Sequence, residues 1–475
     1  MQSGSRTQAP GATLKPYPEI DTRPHIVGLL LSLCVLVPAG FALAFDVLIP
    51  DAWFELSYLL VGAMLYGVFW LVGSSLTGYY ERLVEEAKSD VRRLSIPPSV
   101  NKTYGLMLVS LLPYLLYLFV FALYAVEFVV MNGLLQMLQS DSVPLFFPIG
   151  LLIMAAGSVW GVAIGVWRLL VPPRPRPAGV MLTRNDCPRL WAVVDKVAAD
   201  SGTSTAQTVV LTPDASIAVW EDGSLPAVLS GYGRRHILVG LSAIHDMTIC
   251  EFMAILRHEF AHFANRDTRW GSFTHAMGQA LVSAFAATPG LSALAQGFSW
   301  VRLVVAANPA WFVYAVFIRL FFRSTGGFSR LGEILADRDA ILYAGGGPFA
   351  RGLTKVVVNE AVFSKWAESN ATKAALSPGT VVGIAGAVSA AVRGMDPVQS
   401  ERVRAEAFAT SQLRAGPYDS HPALPVRLGL ARSMPEEIFA DTGEPAWSLL
   451  DDWVSRDRQA SEAWLDGIRR RMQKI

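Results

Sequence analysis

The chain has 475 residues, of which 52% are hydrophobic and only 17% charged. Soluble domains carry charge on nearer a quarter of their residues, so a wholly soluble protein is disfavoured and membrane segments are expected. Lys and Arg number 40 against 39 Asp and Glu, a net charge of +1, which gives no basis for a nucleic-acid partner. The three cysteines, Cys34, Cys187 and Cys250, are scattered and make neither a disulfide framework nor a CxxC metal site.

Residues 1–24 are polar and contain proline. The apolar run after them is too long for the hydrophobic region of a cleaved signal, so it reads as a retained helix behind a cytoplasmic tail, residues 1–25. Four apolar runs precede the middle of the chain: Ile26–Leu48, Ser57–Leu76, Gly105–Val126 and Leu145–Trp167. Each is near the roughly 20 residues that a helix needs to cross a bilayer. None alternates as a barrel strand would. A four-helix transmembrane region is therefore predicted over 26–171. Arg6, Lys15 and Arg23 precede the first run, Arg82, Lys88, Arg92, Arg93 and Lys102 follow the second, and Arg168, Arg174 and Arg176 follow the fourth. The other two loops offer only Asp51 and Glu55, then Glu127 and Asp141. Positive charge favours the cytoplasmic side, which places the tail, the second loop and everything just after residue 172 there.

The stretch 172–177, Pro-Pro-Arg-Pro-Arg-Pro, reads as a stiff linker. Beyond it, Pro188–Ala199 has helical spacing, Thr208–Leu211 and His236–Val239 read as short strands, and Ser216–Trp220 is a further strand candidate. A helix is expected from about Cys250 to Asn265. No Asp, Glu, Lys or Arg occurs from Gly271 to Val301, nor from Leu303 to Ile318. The zone 271–322 is either a transmembrane hairpin or a large buried helical insertion. Gly345-Gly346-Gly347-Pro348 marks a turn. Leu450, Trp453, Trp464, Leu465, Ile468 and Met472 form a broken helical stripe in a C-terminal segment, 433–475, read as a helix docked on the preceding domain.

The chemistry centres on His258-Glu259-Phe260-Ala261-His262, an HExxH. Residues four apart share a helix face, so both imidazoles can bind one Zn²⁺, and Glu259 sits close enough to take a proton from a metal-bound water. Taken alone, the pattern also fits a surface helix with two solvated histidines. A catalytic zinc wants three protein ligands and an open position. Glu333-Ile334-Leu335-Ala336-Asp337 supplies Glu333 as a candidate third ligand. Asp337 is a candidate partner for the free N–H of a bound imidazole. Without the HExxH, these would read as an ordinary acidic helix face. For His258 and Glu333 to share an ion, the apolar zone between them must cross the membrane twice or not at all.

With both motifs in hand, the chain resembles the HtpX and CAAX prenyl protease family of membrane gluzincin metallopeptidases, whose signature is HExxH followed by a distant ExxAD. The resemblance covers about residues 178–432, includes Asn265-Arg266-Asp267 after the first motif, and extends to Ser420-His421-Pro422 ahead of Arg427. It implies an α-helical transmembrane bundle plus an α+β gluzincin-like metalloprotease domain over 178–432, with one Zn²⁺ per chain. It also implies that His421 and Arg427 line the substrate cleft, orient substrate and stabilise the developing oxyanion. The expected activity is endopeptidase cleavage of membrane-associated or misfolded proteins at the cytoplasmic face of a multi-pass protein of the bacterial inner (cell) membrane. Protein or peptide substrates and the lipid bilayer are the expected partners. One departure is Ser216-Ile217-Ala218-Val219, which stands where the family usually has an Asn-Ala-Phe edge strand. Two rival readings stay open: an inactive membrane scaffold of the same fold, and a transporter. The transporter would place ionisable residues within the membrane runs, whereas Asp46 and Glu127 lie only at or near run ends.

Overall fold

The computed structural model describes residues 52–96, 98–140, 142–171, 177–222, 233–264, 267–377, 383–413 and 421–473. The first apolar run, the tail before it and Pro172–Arg176 of the linker lie outside the described residues. Three long helices open the described chain: α1 (Ala52–Ala87), α2 (Pro98–Leu138) and α3 (Phe146–Leu170). Two helical stretches among the described residues, Tyr104–Leu138 and Phe146–Leu170, are long and apolar enough to cross a membrane. Their outer faces carry Phe128, Met131, Leu135, Leu152, Val159 and Trp160 exposed. An apolar surface of that kind needs a non-aqueous neighbour. The described part of α1 falls short of the same measure, because Gly, Ser, Thr and Tyr dilute its apolar residues.

A small mixed sheet follows, built from β1 (Val180–Leu182), β2 (Thr208–Thr212), β3 (Ile217–Asp222) and β4 (Arg234–Gly240) in the order β1-β2-β4-β3. The central pair is parallel, with Val209 opposite Ile237, and both outer pairs are antiparallel. Helix α4 (Pro188–Asp200) connects β1 to β2 and buries Leu190, Trp191, Val194, Val197 and Ala198. β3 is an edge strand.

The rest is helical: α5 (Ile249–Ala264), α6 (Asp267–Ala287), α7 (Trp300–Ala306), α8 (Pro309–Ala344), α9 (Gly346–Leu376), α10 (Ile384–Arg393), α11 (Pro397–Leu413), α12 (Leu424–Arg432) and α13 (Trp453–Met472). α7 and α8 are bent by 44° at their junction. The break has a local cause. Pro309 cannot continue a helix from behind, and Asn308 caps α8 by accepting the Ala310 N–H at 3.0 Å. Buried Asn308 also donates to Ser158 Oγ on α3 at 3.0 Å and to the Pro289 carbonyl at 2.7 Å.

Two main cores result. One is formed by α1, α2, α3, α6 and the first half of α8, around Leu108, Leu111, Leu115, Met277, Ala280 and Phe317. The other joins the sheet, α4, α5 and the second half of α8. Helices α1 and α8 belong to both. α1 gives Phe69 and Leu76 to the first core and Leu83, Val84 and Ala87 to the second; α8 gives Tyr314 and Phe321 to the first and Leu331, Ile334 and Ile341 to the second. They approach closely where each has glycine. A Cβ on Gly73 would lie 2.8 Å from Ser324 Cα, and one on Gly327 would lie 3.1 Å from Thr77 Oγ1. The C-terminal residues Ala446, Leu449, Leu450 and Ala460 lie in the second core, so this segment is packed into the domain rather than appended to it.

Candidate metal centre

Helix α5 starts where its sequence provides a reciprocal cap. The Thr248 hydroxyl accepts the Glu251 N–H at 3.3 Å, and the Glu251 carboxylate accepts the Thr248 N–H at 3.0 Å, the two-way arrangement of a capping box. Buried Glu251 is neutralised by Arg351 at 2.8 Å and Lys355 at 2.7 Å. Phe252, Leu256 and Phe260 are buried, each contributing on the order of 1.5–3 kcal/mol. The helix is thereby fixed in rotation, with His258, Glu259 and His262 turned toward α8 and the sheet edge.

α8 meets that face with Glu333. His258 Nε2 lies 3.6 Å from Glu333 Oε2, and His262 Nε2 lies 3.7 Å from Glu333 Oε1. One ligand atom from each of His258, His262 and Glu333 falls within 4.8 Å of the others. Donors at about 2.0–2.1 Å from a tetrahedral ion are about 3.4 Å apart, so the spacing suits a single metal. One turn further on, the His258 Nδ1–H donates to Asp337 Oδ1 at 2.9 Å. Arg427, on α12, grips the same carboxylate with both arms, Nε to Oδ2 at 2.8 Å and Nη2 to Oδ1 at 2.6 Å. Its Nη2 is also 3.4 Å from both His258 ring nitrogens, which places the guanidinium over the ring rather than in its plane. Arg427 Nη1 lies 3.7 Å from Glu333 Oε2. His421 approaches from the exposed rim, Nδ1 3.1 Å from Glu333 Oε1. His258, Glu259, His262, Glu333, Asp337, His421 and Arg427 thus share one site. Arg427, however, directs its two shortest contacts at Asp337, not into the open cleft.

Charge supports a divalent ion. Three carboxylates (Glu259, Glu333, Asp337) and one guanidinium leave two negative charges when the imidazoles are neutral. An uncompensated charge of that size is costly in a buried site. Without a metal, protons take its place. Burial opposes charging of His258, but Asp337 and Glu333 outweigh it and push its pKa up to about 10. Glu333 is pulled well below the usual carboxylate range, because the His258 and His421 contacts exceed the opposing effect of burial. Burial works against ionised Asp337 too, yet Arg427 and His258 hold its pKa low. Glu259 differs: burial dominates and raises its pKa, with His258 and His262 opposing.

The site opens into a cleft of about 540 Å³, whose walls include Ile217, Ala218 and Val219 of β3. Tyr104 of α2, Thr274 of α6 and Phe328 of α8 line it as well. Tyr104 and Phe328 stack with ring centroids 3.3 Å apart. These three were not identifiable as site residues from the sequence. Tyr104 sits at the edge of an apolar run and Thr274 within the charge-free zone, neither in a motif, and only the packing of α2 and α6 against α8 brings them in.

The profile of peptidase family M48 matches residues 187–434, a little over half of the chain. The chain belongs to peptidase family M48. This is the family of the HtpX and CAAX prenyl protease zinc metallopeptidases, and the M48 match spans both α5 and α8, the helices that carry the metal-spaced triplet. No curated protein and no solved structure matches the chain significantly.

Proposed function

We propose that this M48 peptidase is a membrane-bound, zinc-dependent endopeptidase that hydrolyses peptide bonds of membrane-associated or misfolded proteins at the cytoplasmic face. The observation that carries the reading is the convergence of His258, His262 and Glu333, with ligand atoms within 4.8 Å of one another, in a site where three carboxylates face one guanidinium. These three side chains would hold the ion. When bound, zinc lowers the pKa of a coordinated water toward about 7 and polarises the scissile carbonyl.

The chain's own groups do the rest. Asp337 fixes the His258 ring by taking its Nδ1–H, which leaves the Nε2 lone pair directed at the cleft. Glu259 accepts a proton from the attacking water and returns it to the leaving amine, a role served by a pKa that burial has raised. Arg427 holds Asp337 in place and keeps Nη1 toward the cleft. His421, on the rim, is placed to donate to the developing oxyanion. Among the described residues no strand pairs with the outer edge of β3, and that edge, beside the site, would give an extended substrate a strand to pair with.

In this reading residues 26–171 are the transmembrane region, 178–432 the protease domain and 433–475 its C-terminal helical segment. Zone 271–322 enters the bilayer as a hairpin. That placement is supported by the packing of α6 and the first half of α8 against α2 and α3, and by the return of the chain to bring Glu333 beside His258. The test is a side-by-side purification of wild type, Glu259→Gln and Glu333→Ala, with zinc per chain and casein or peptide cleavage measured. Glu259→Gln should keep metal and lose activity, and Glu333→Ala should bind metal weakly. Equal activity in all three proteins would refute the proposal.

A further inference from the structure

A second, larger cavity of about 1290 Å³ lies between α9, α11 and the segment leading into α12. It adjoins the catalytic cleft, with Val356, His421 and Arg427 lining both. It also adjoins the start of the edge strand. Glu360, on its wall, accepts the Ala215 N–H at 3.2 Å, two residues before β3 begins. The Ile217 end of β3 therefore borders this second space, within reach of a polypeptide laid along the strand past His258. The volume exceeds the roughly 300–1,000 Å³ of small-molecule pockets and suits several residues of chain.

Its wall has a definite chemistry. Glu360, Glu368 and Glu406 face it with Lys365 and the Trp366 ring beside them; Glu406 also pairs with Arg402 at 3.0 Å on its exposed side, and Glu360 accepts from Ser364 at 3.2 Å. The guanidinium of Arg427 is already paired to Asp337. Carboxylates around an aromatic face suit Lys and Arg side chains, which can pair with the former and lie over the latter.

We propose that this cavity is a distal substrate subsite. It would take an extended polypeptide segment beyond the β3-paired residues and favour Lys or Arg several positions from the scissile bond. The inference rests on the peptidase reading above. The catalytic groups would then cleave with little regard to sequence, while selection is made at a distance by the α9–α11 groove.

The test uses the full-length protein in detergent and quenched peptides that share one neutral cleavable core. The core is extended on one end or the other by Lys-containing or Glu-containing residues. For one of the two ends, the Lys extension should lower KM about five- to tenfold relative to the Glu extension, the sum of two or three exposed ion pairs, with kcat little changed. In Glu368→Lys/Glu406→Lys the preference should vanish or invert, while the unextended core is cleaved as by wild type. Equal KM for Lys and Glu extensions at both ends of wild type, or an unaltered preference in the double variant, would overturn the assignment. Fluorescence anisotropy with the same peptides reads the subsite without turnover. Charge-selective binding without any cleavage would count against the peptidase reading and for the subsite; cleavage of the core with no charge selectivity would do the reverse.

Discussion

Asp337→Asn is a near-isosteric change whose effect follows from hydrogen-bond directions. Asp337 accepts from His258 Nδ1 on one oxygen and from both arms of Arg427. An asparagine has one acceptor and one donor end. If its oxygen takes the place of Oδ1, it still accepts from His258 and from Arg427 Nη2, but its NH₂ points at the Arg427 Nε–H. If the oxygen takes the place of Oδ2, the NH₂ points at both Arg427 Nη2 and His258 Nδ1, and Nδ1 must give up its proton, so the proton moves to Nε2, where the metal would bind. Either orientation weakens the site. Removing such a partner of a metal-binding histidine costs about 10–100-fold in affinity, or about 1.4–2.7 kcal/mol. Folding should also suffer, because the largely buried Arg427, its side chain 12% exposed, keeps one fewer counter-charge, a loss of up to about 3–5 kcal/mol for a fully buried group with no other partner. Glu333, 3.7 Å from Arg427, places the expected loss below that range. A chelator competition reads zinc affinity, and thermal unfolding of the metal-free protein reads stability. Wild-type zinc affinity in Asp337→Asn would refute the assignment of Asp337 as the group that orients His258.

Further outcomes are expected from the same geometry. Zinc affinity should rise with pH between about 6.5 and 8.5, roughly tenfold per pH unit for each proton displaced, because the metal must replace the proton that His258 retains up to about 10; a pH-independent affinity would contradict this. The sign for the metal-free fold is opposite. A histidine whose folded pKa is raised gives its full stabilisation below about 6.5, its unfolded value, and loses it as pH climbs toward 10, so the melting temperature of the apo protein should fall over that window. Glu259→Gln should lower kcat by about 10²–10⁴ with zinc content unchanged by atomic absorption. Gly345→Ala should cut stability by at least about 1–3 kcal/mol, because Gly345 has φ +98° and an added Cβ would meet the Glu436 carbonyl oxygen at 2.0 Å; chemical denaturation measures it. Gly73→Val should loosen the α1–α8 crossing, where the new Cβ would sit 2.8 Å from Ser324 Cα, and so reduce the yield of folded protein in detergent, read by size exclusion.

Local rules carried the sequence reading wherever periodicity and spacing decide structure. α4, β2 and β4 lie where the helical and alternating patterns put them, within two residues. The candidate strand at Ser216–Trp220 is β3. The glycines at 345–347 do mark a turn, but one confined to a single residue between two long helices. What local pattern does not encode is which distant helix packs on which. β1 is three residues long, too short to carry an alternation. The capping box at Thr248–Glu251 was present in the sequence and moves the helix start one residue earlier than expected. Arg427 could be placed near the site only through its family resemblance. Its pairing with Asp337, 90 residues away in sequence, follows from the tertiary fold alone.

The unbroken run of α8 from Pro309 to Ala344 makes it a yardstick as well as a scaffold. Twenty-four residues separate Pro309 from Glu333, about 36 Å of helical rise, against about 30 Å of hydrocarbon in a bilayer. If its first half spans the membrane, the carboxylate at position 333 stands only a few ångströms clear of the lipid tails. On that placement, a backbone that emerges close beside the bilayer, or is drawn down to it, would come within reach of such a blade.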